Sequence, residues 1–559
     1  ESTDTSHLTA FNSDGFSLAN GNEVNQNSQN FVSWTFAKQP GFFDVVTYTG
    51  NGGTSQTINH NLGSVPGMII VKATSAAKNW EVFHRSTGST KALYLNETST
   101  PNTGTGHWND TDPTSTNFTV GSYSNVNESG TTYVAYLFAH DDQRFGTDSD
   151  EAIIKCDSYT GTGSEFEVNL GFEPQWLFVK NVNNSSYYWW ALDTMRGLDH
   201  SETRFLYSNV GNAEAGGGVY YIPTPTGFTV KGITGPNNSG NEYIYTAIRR
   251  PHKPASEFAA TNLFTPTPGL NGSVGDKVFS TTYPVDLHIS KQKNATNGWY
   301  TFDRLRGGGT YLFTDTTSSE STIAYQDQFD HMDGVYTSTA WDYTSWIGYE
   351  FRRVPGFFDV VGYKGQSAEM DIDHNLGVTP ELIITKRRNA SSGYNWNSWY
   401  TGLTNSQYVN LNNDVAVSTA SNLWGTNSTV ATDSVFRVGA ATTGVNAGTG
   451  ATHIAYLFAT TAGISKVGTY TGTGSDLTVD CGFSNGARFV LIKRTDSTGH
   501  WYVMDSVQGI TVGNDPALQL NESNAQDTRE WLKPDSSGFI ASDYFLTISG
   551  ATYLFLAIA

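Results

Sequence analysis

Residues Pro40 to Lys72 read PGFFDVVTYTGNGGTSQTINHNLGSVPGMIIVK, and residues Pro355 to Lys386 read PGFFDVVGYKGQSAEMDIDHNLGVTPELIITK. Pro-Gly-Phe-Phe-Asp-Val-Val returns letter for letter, as does His-Asn-Leu-Gly. Self-similarity at this distance marks a tandem array whose units bury apolar surface against one another. Within the first stretch, Phe43 to Thr49 reads as a strand and Gly50 to Gly53 as a turn. Gln56 to Asn61 and the apolar run Met68 to Val71 read as further strands.

Outward from there, the first full unit spans 40–139. It continues through Trp80 to His84 and Leu93 to Leu95 and closes on Tyr133 to Ala139. Short strands separated by Gly, Asn, Asp and Ser predict an antiparallel sandwich or barrel. No stretch combines a 3.6-residue apolar period with helix caps. The plan returns in 140–250, in the divergent 251–353, in 354–459 and in 460–559. Ala455 to Ala459 repeats the five letters of Ala135 to Ala139. Residues 1–39 look like the end of a further unit. Phe11 to Leu18 and Phe31 to Ala37 are predicted as strands, the counterparts of Phe118 to Val120 and Tyr133 to Ala139. The predicted fold class is therefore all-β: a tandem array of about five antiparallel β-sandwich-like units of roughly 100 residues, stacked end to end and preceded by a partial unit. Arg249 to Pro254 holds two prolines, at Pro251 and Pro254, and is read as a stiff connector.

Composition narrows the function. The 559 residues are 13% aromatic and 15% charged, with 57 Gly and only 17 Pro, which is a folded, turn-rich chain. The 32 basic against 52 acidic residues leave a net charge of −20. That charge disfavours nucleic acid and anionic lipid as partners and favours solubility. Cys156 and Cys481 occupy different positions of their units. They argue against a disulfide framework or a cysteine zinc site and are expected as small buried residues. No apolar run reaches the roughly 18 residues of a membrane span. A chain beginning at Glu1, without Met, is expected of a processed product.

A Lys ends the central apolar strand of every full unit, at Lys72, Lys180, Lys291, Lys386 and Lys493. A Trp follows at Trp80, Trp189, Trp299, Trp399 and Trp501. One reading is a sugar site, with the indole stacking and the ammonium donating. The other is a Lys stem lying along a Trp in a hairpin, a cation–π contact of ~0.5–1 kcal/mol when exposed. A device present in every unit is assigned to the fold, so these ten residues are read as repeat-core structural positions. Met68 to Val71, Phe489 to Ile492 and Val134 to Phe138 are apolar on both faces, whereas an isolated sandwich would alternate. Their outer face is expected to be covered by the next unit or by another copy of the chain. In the second case a homotrimer is expected.

The remaining motifs read as structure. His60-Asn61-Leu62-Gly63 and His374-Asn375-Leu376-Gly377 look like turn chemistry, since a lone His carries little metal signal. Asp110-Thr111-Asp112 lacks the Gly and Glu that would complete a calcium loop. Asp193 and Asp303 precede Arg196 and Arg306 by three residues and read as local ion pairs; Asp505 takes the same place in the last unit. No nucleophile elbow, phosphate loop or zincin helix occurs. No catalytic, cofactor-binding or metal-binding residue is assigned, and the chain is not expected to be an enzyme.

PGFFDVVTYTGNG, HNLGSVPGMIIVK, WNDTDPTSTNFTVG, YVAYLFAHDD and ISKVGTYTGTGSDLTVDCGFSNGARFVLIKRTDSTGHWYV resemble repeat proteins common in tailed bacteriophages, particularly those of marine bacteria. These are tail-fibre-like or virion structural proteins. The resemblance covers essentially the whole chain and is weakest in 251–353. It implies a β-rich appendage on the virion surface, with other virion proteins as partners and no assigned catalytic residues. The expected role is a tail fibre or receptor-binding appendage attaching to host-surface polysaccharide. The alternatives are a capsid decoration or collar protein, a glycan depolymerase within the fibre, or a bacterial adhesin.

Overall fold

A computed structural model describes residues 5–559 except 147, 233, 324–328, 391–392 and 441–443. The molecule is almost entirely β, with multiple antiparallel sheets and four one-turn α-helices among the described residues. The N-terminal stretch carries β1 (Leu8–Phe11), β2 (Phe16–Leu18) and helix α1 (Asn22–Asn25). The first full unit follows with β3 (Phe43–Thr49), β4 (Gln56–Asn59), β5 (Pro66–Ala73), β6 (Glu81–His84), β7 (Lys91–Tyr94) and β8 (Asn102–Thr103). It ends with helix α2 (Thr105–Trp108), β9 (Asn117–Val120), helix α3 (Ser124–Asn127) and β10 (Thr132–Ala139).

These strands form a six-stranded sheet of order β3-β10-β5-β6-β7-β8, covered by the small sheet β4-β9. The closing strand β10 is thus central. Tyr136 pairs with Val45 on one side and with Ile70 on the other. Each later unit repeats the six-stranded order, closing on Glu242–Arg249, Trp346–Phe351, Thr452–Phe458 and Thr552–Ile558.

In the third, fourth and fifth units both faces of the sheet are buried, for two different reasons. In the fifth unit Val490, Ile492 and Phe555 pack with Val479 and Phe539 of their own small sheet. Their alternating neighbours Phe489, Leu491, Leu554 and Leu556 face the other way, into a core shared with the third and fourth units. That shared core also holds Leu287 and Tyr349 of the third unit and Leu382, Ile384 and Tyr456 of the fourth. A small apolar cavity of about 40 Å³ lies where the three sheets meet. At roughly 1.5–3 kcal/mol per fully buried large apolar side chain, this common core outweighs any single interface hydrogen bond. The outer faces of the third, fourth and fifth units are therefore covered within the chain.

Units three to five are not stacked end to end as the sequence suggested. Each touches both others, and they close into a ring. A string leaves the apolar faces of its terminal units wet, whereas a ring of three leaves none. Units one and two share a second core, in which Trp176, Phe178 and Trp189 join residues of the first unit. Between the two cores, Arg353 donates to both oxygens of Glu173 (2.8 Å each) and to Asp359 (2.8 Å), all three buried.

Phe31 to Ala37, expected as a strand, is not in one. In complete units this strand is hydrogen-bonded on both sides. Here neither neighbouring strand is present among the described residues, so the ladder has nothing to form on.

Candidate functional site

The lysines at the ends of the central strands are not laid along their tryptophans. Only Lys72 has its ammonium over the expected ring, 5.8 Å from that of Trp80. Lys180, Lys291, Lys386 and Lys493 are fully buried. Each caps at least one carbonyl of its own unit and one of a neighbouring unit. Lys180 Nζ donates to Tyr187 O (2.7 Å) and Thr98 O (2.9 Å). Lys386 Nζ donates to Tyr394 O and Thr317 O (3.0 Å). Lys493 Nζ donates to Gly499 O (2.7 Å) and Asp414 O (3.1 Å). Lys291 Nζ donates to Asn297 O and Ser523 O (2.7 Å). A buried ammonium is tolerated only when its donors are satisfied, and here loop carbonyls satisfy them. Burial pushes all four down to about 8. The cation–π reading therefore holds for the first unit alone.

The tryptophans follow the same rule. Trp189 Nε1 donates to Tyr94 O (3.0 Å), Trp299 Nε1 to Gln519 O (2.8 Å) and Trp501 Nε1 to Asn410 O (2.8 Å). In the fourth unit the equivalent residue is Trp396, not Trp399: Trp396 Nε1 donates to Phe313 O (2.9 Å). Trp399 bonds Leu403 O of its own unit and belongs to that unit's separate core. Trp396 lies 10 residues after Lys386, nearer the 8 or 9 of the other units than Trp399 at 13. A usable signal was the Asn or Asp that accepts the Trp main-chain N–H: Asn96, Asn209, Asp315, Asn412 and Asn521 for Trp80, Trp189, Trp299, Trp396 and Trp501.

These contacts run in one direction. The third unit donates to the fifth, the fourth to the third and the fifth to the fourth, while the second donates to the first. Asp303 and Asp505 complete two of the ring's interfaces from the receiving side, and Asp193 of the second unit receives in the same way from the N-terminal stretch. Asp303 accepts from Arg306 of its own loop and from Tyr456 Oη of the fourth unit (2.7 Å). Asp505 accepts from Gln508 (2.7 Å) and from Tyr349 Oη of the third unit (2.9 Å). Asp193 accepts from Arg196 (2.7 Å) and from Trp34 Nε1 (3.0 Å).

His-Asn-Leu-Gly is a corner. His60 Nδ1 accepts from Leu62 N (3.2 Å), Asn61 N donates to Asp44 Oδ2 (2.7 Å) and Gly41 N donates to Leu62 O (2.7 Å). His374, Asn375, Leu376, Asp359 and Gly356 reproduce these three bonds. The two motifs recur together because they bond to each other. Burial lowers both histidines. Asp110 and Asp112 sit exposed in a loop, and no three metal-ligating side chains converge among the described residues. Cys156 and Cys481 are free, and burial pushes both thiols up to about 12.

A cleft of about 240 Å³ between the second and third units is lined by Arg196, Arg204, Arg304, Asp199 and Glu202. Its guanidiniums are held by carboxylates: Arg196 by Asp193, Arg204 by Glu202 and Arg304 by Asp286. Burial lifts Asp199 to about 6 against the pull of the Glu202 and Ser201 N–H groups. Outside the cleft, aromatic side chains of the full units stay exposed: Tyr123, Trp341 (54%) in the short strand Trp341–Asp342, and Tyr544 (70%) and Phe545. Tyr123 precedes helix α3, and Tyr544–Thr547 is the corresponding helix α4 of the fifth unit.

A family model described as "Domain of unknown function (DUF7483)" matches residues 1–251 and 353–559, and the chain belongs to that family. The stretch between the two matches is the divergent third unit, whose sheet order is nonetheless the common one. No curated protein and no solved structure matches the chain.

Proposed function

We propose that this DUF7483 chain is a structural, receptor-binding part of a bacteriophage virion, a tail fibre or similar appendage that attaches to glycan on the host surface. The observation that carries the reading is the inward saturation of the ring. Indoles and ammoniums at the unit interfaces are spent on main-chain carbonyls and carboxylates on neighbouring donors, while exposed aromatic rings remain at the periphery. A body so closed unfolds slowly and persists outside a cell without disulfides. The resemblance of its repeated phrases to tail-fibre-like proteins supports the virion setting. Tyr123, Trp341, Tyr544 and Phe545 offer flat apolar faces with polar surroundings, the chemistry that holds a sugar ring. Weak single-site attachment is strengthened when several copies engage together.

Competition for adsorption tests this reading. Recombinant protein is expected to block virion attachment to the host, and Trp341→Ala combined with Tyr544→Ala is expected to lose the block without lowering the melting temperature. Absence of inhibition at saturating protein overturns receptor binding. Antibody label on the head rather than the tail favours a capsid decoration instead.

A further inference from the structure

We infer that the face of the first unit carrying Trp80 is the seat of a third β unit of this same fold, so that the N-terminal part of the molecule also closes a ring of three. The occupant is the remainder of the unit whose closing strand is Phe31 to Ala37, supplied by polypeptide on the N-terminal side of β1.

The direction of docking gives the first argument. In the complete ring the indole of each unit enters its neighbour and finds the carbonyl of the last residue of the β7-like strand: Phe313, Asn410 or Gln519. Trp189 does the same to Tyr94, the last residue of β7. Trp80 alone is only half-buried, and its Nε1 meets no acceptor among the described residues. It lies against Tyr136 with ring centres 6.4 Å apart, aimed at a unit that would receive it.

The second argument is a contact already made. Residues 15–37 align with 117–139 without a gap, which puts Trp34 at the position of Tyr136, and so of Tyr349 and Tyr456. In the complete ring the first unit in sequence, the third, donates from this position to the last, the fifth, by Tyr349 to Asp505. Trp34 Nε1 donates to Asp193 of the second unit, the bond that the first member of a ring makes to the last.

The local conformation agrees. Hairpin β1-β2 repeats the hairpins Tyr221–Thr224 with Gly227–Val230 and Leu532–Asp535 with Gly538–Ala541. Helix α1 takes the place of α3. Ser28 holds φ +61° where Gly130, Gly240 and Gly550 hold +76°, +79° and +78°. A non-glycine residue in this left-handed region needs a reason, and the turn into the closing strand supplies it.

Exposure shows what is missing. Phe31 is 52% exposed, whereas Tyr133, Tyr243 and Tyr553 at the same position are buried. Asn25 is exposed, whereas Asn127 is buried and its Oδ1 takes Asn51 N–H in the turn between the first two strands of its unit (2.9 Å). Phe31 and Asn25 are thus core and pin of a unit whose first strands lie elsewhere in the polypeptide. A second copy of the chain does not fit, because its docked unit would bring its own closing strand to the place Phe31 to Ala37 already holds.

Hydrogen exchange decides this, comparing residues 1–559 with the polypeptide carrying its natural N-terminal extension. In residues 1–559 the amides of Phe31 to Ala37 are expected to exchange freely. In the extended polypeptide they are expected to exchange at least about a hundredfold more slowly, near the rate of Thr132 to Ala139. Acrylamide quenching of Trp80, read against Trp80→Phe, is expected to fall in parallel. Unchanged exchange at Phe31 to Ala37 in the extended polypeptide overturns the inference. So does self-association of residues 1–559 that by itself buries Phe31 and Trp80, since a second copy is then the occupant.

Discussion

Asp303 shows how one side chain joins two units. Burial raises the carboxyl, but the charge and hydrogen bonds of Arg306 and the hydroxyl of Tyr456 prevail and hold it below the ordinary carboxylate range. Its folded value lies under the ~3.9 of a free Asp, so its contribution is complete above about pH 4 and is lost as pH falls through the folded value. Urea midpoints measured from pH 6 to pH 2 should show that loss, and Asp303→Asn should flatten it while lowering stability at neutral pH by ~3–5 kcal/mol. The fifth-to-fourth interface uses the opposite solution. The closing-strand position of Tyr456 is Leu556 there, and the strand position of Asp303 is Tyr400, both in the shared apolar core. Carboxylate meets donor, or apolar meets apolar. Tyr400→Asp should therefore cost ~3–5 kcal/mol, and adding Leu556→Tyr should recover a large part of it. A double-mutant cycle with no coupling would show that the two positions do not meet.

At the scale of single elements, much was legible. Alternation and turn residues located the strands, and the twin Pro-Gly-Phe-Phe-Asp and His-Asn-Leu-Gly phrases marked a corner whose halves bond to each other. The double apolar faces of Met68 to Val71 and Phe489 to Ile492 correctly required a second covering layer. Phe31 to Ala37 misled because a strand needs neighbours as well as letters. Trp399 misled because two Trp follow Lys386 three residues apart, and the docked one is identified by its hydrogen-bond partners, Asn412 and Phe313 O. Trp396→Ala should accordingly cost ~3–5 kcal/mol, and Trp399→Phe, which loses one bond inside its own unit, about 1 kcal/mol. The buried lysines add a pH signature. Their folded value of about 8 lies below the ~10.4 of a free Lys, so the folded chain sheds these protons first. The share of stability they supply grows from about pH 8 to about pH 10. The stability difference between the native chain and Lys386→Met should widen over that interval in chemical denaturation.

For the whole molecule, the repeat was readable and the ring was not. Its closing bonds end on main-chain carbonyls of Gln519, Phe313 and Asn410, and a carbonyl leaves no mark in the choice of side chain. The bond from Trp299 to Gln519 spans 220 residues and skips the fourth unit entirely, so a linear array cannot contain it. Hydrogen exchange on Trp299→Ala tests closure most directly. A closed ring predicts faster exchange in the third unit together with the Gln526 amide, which donates to Lys293 O across the same interface, while the first and second units stay unchanged. Faster exchange confined to the third unit, with Gln526 protected as before, would contradict the ring.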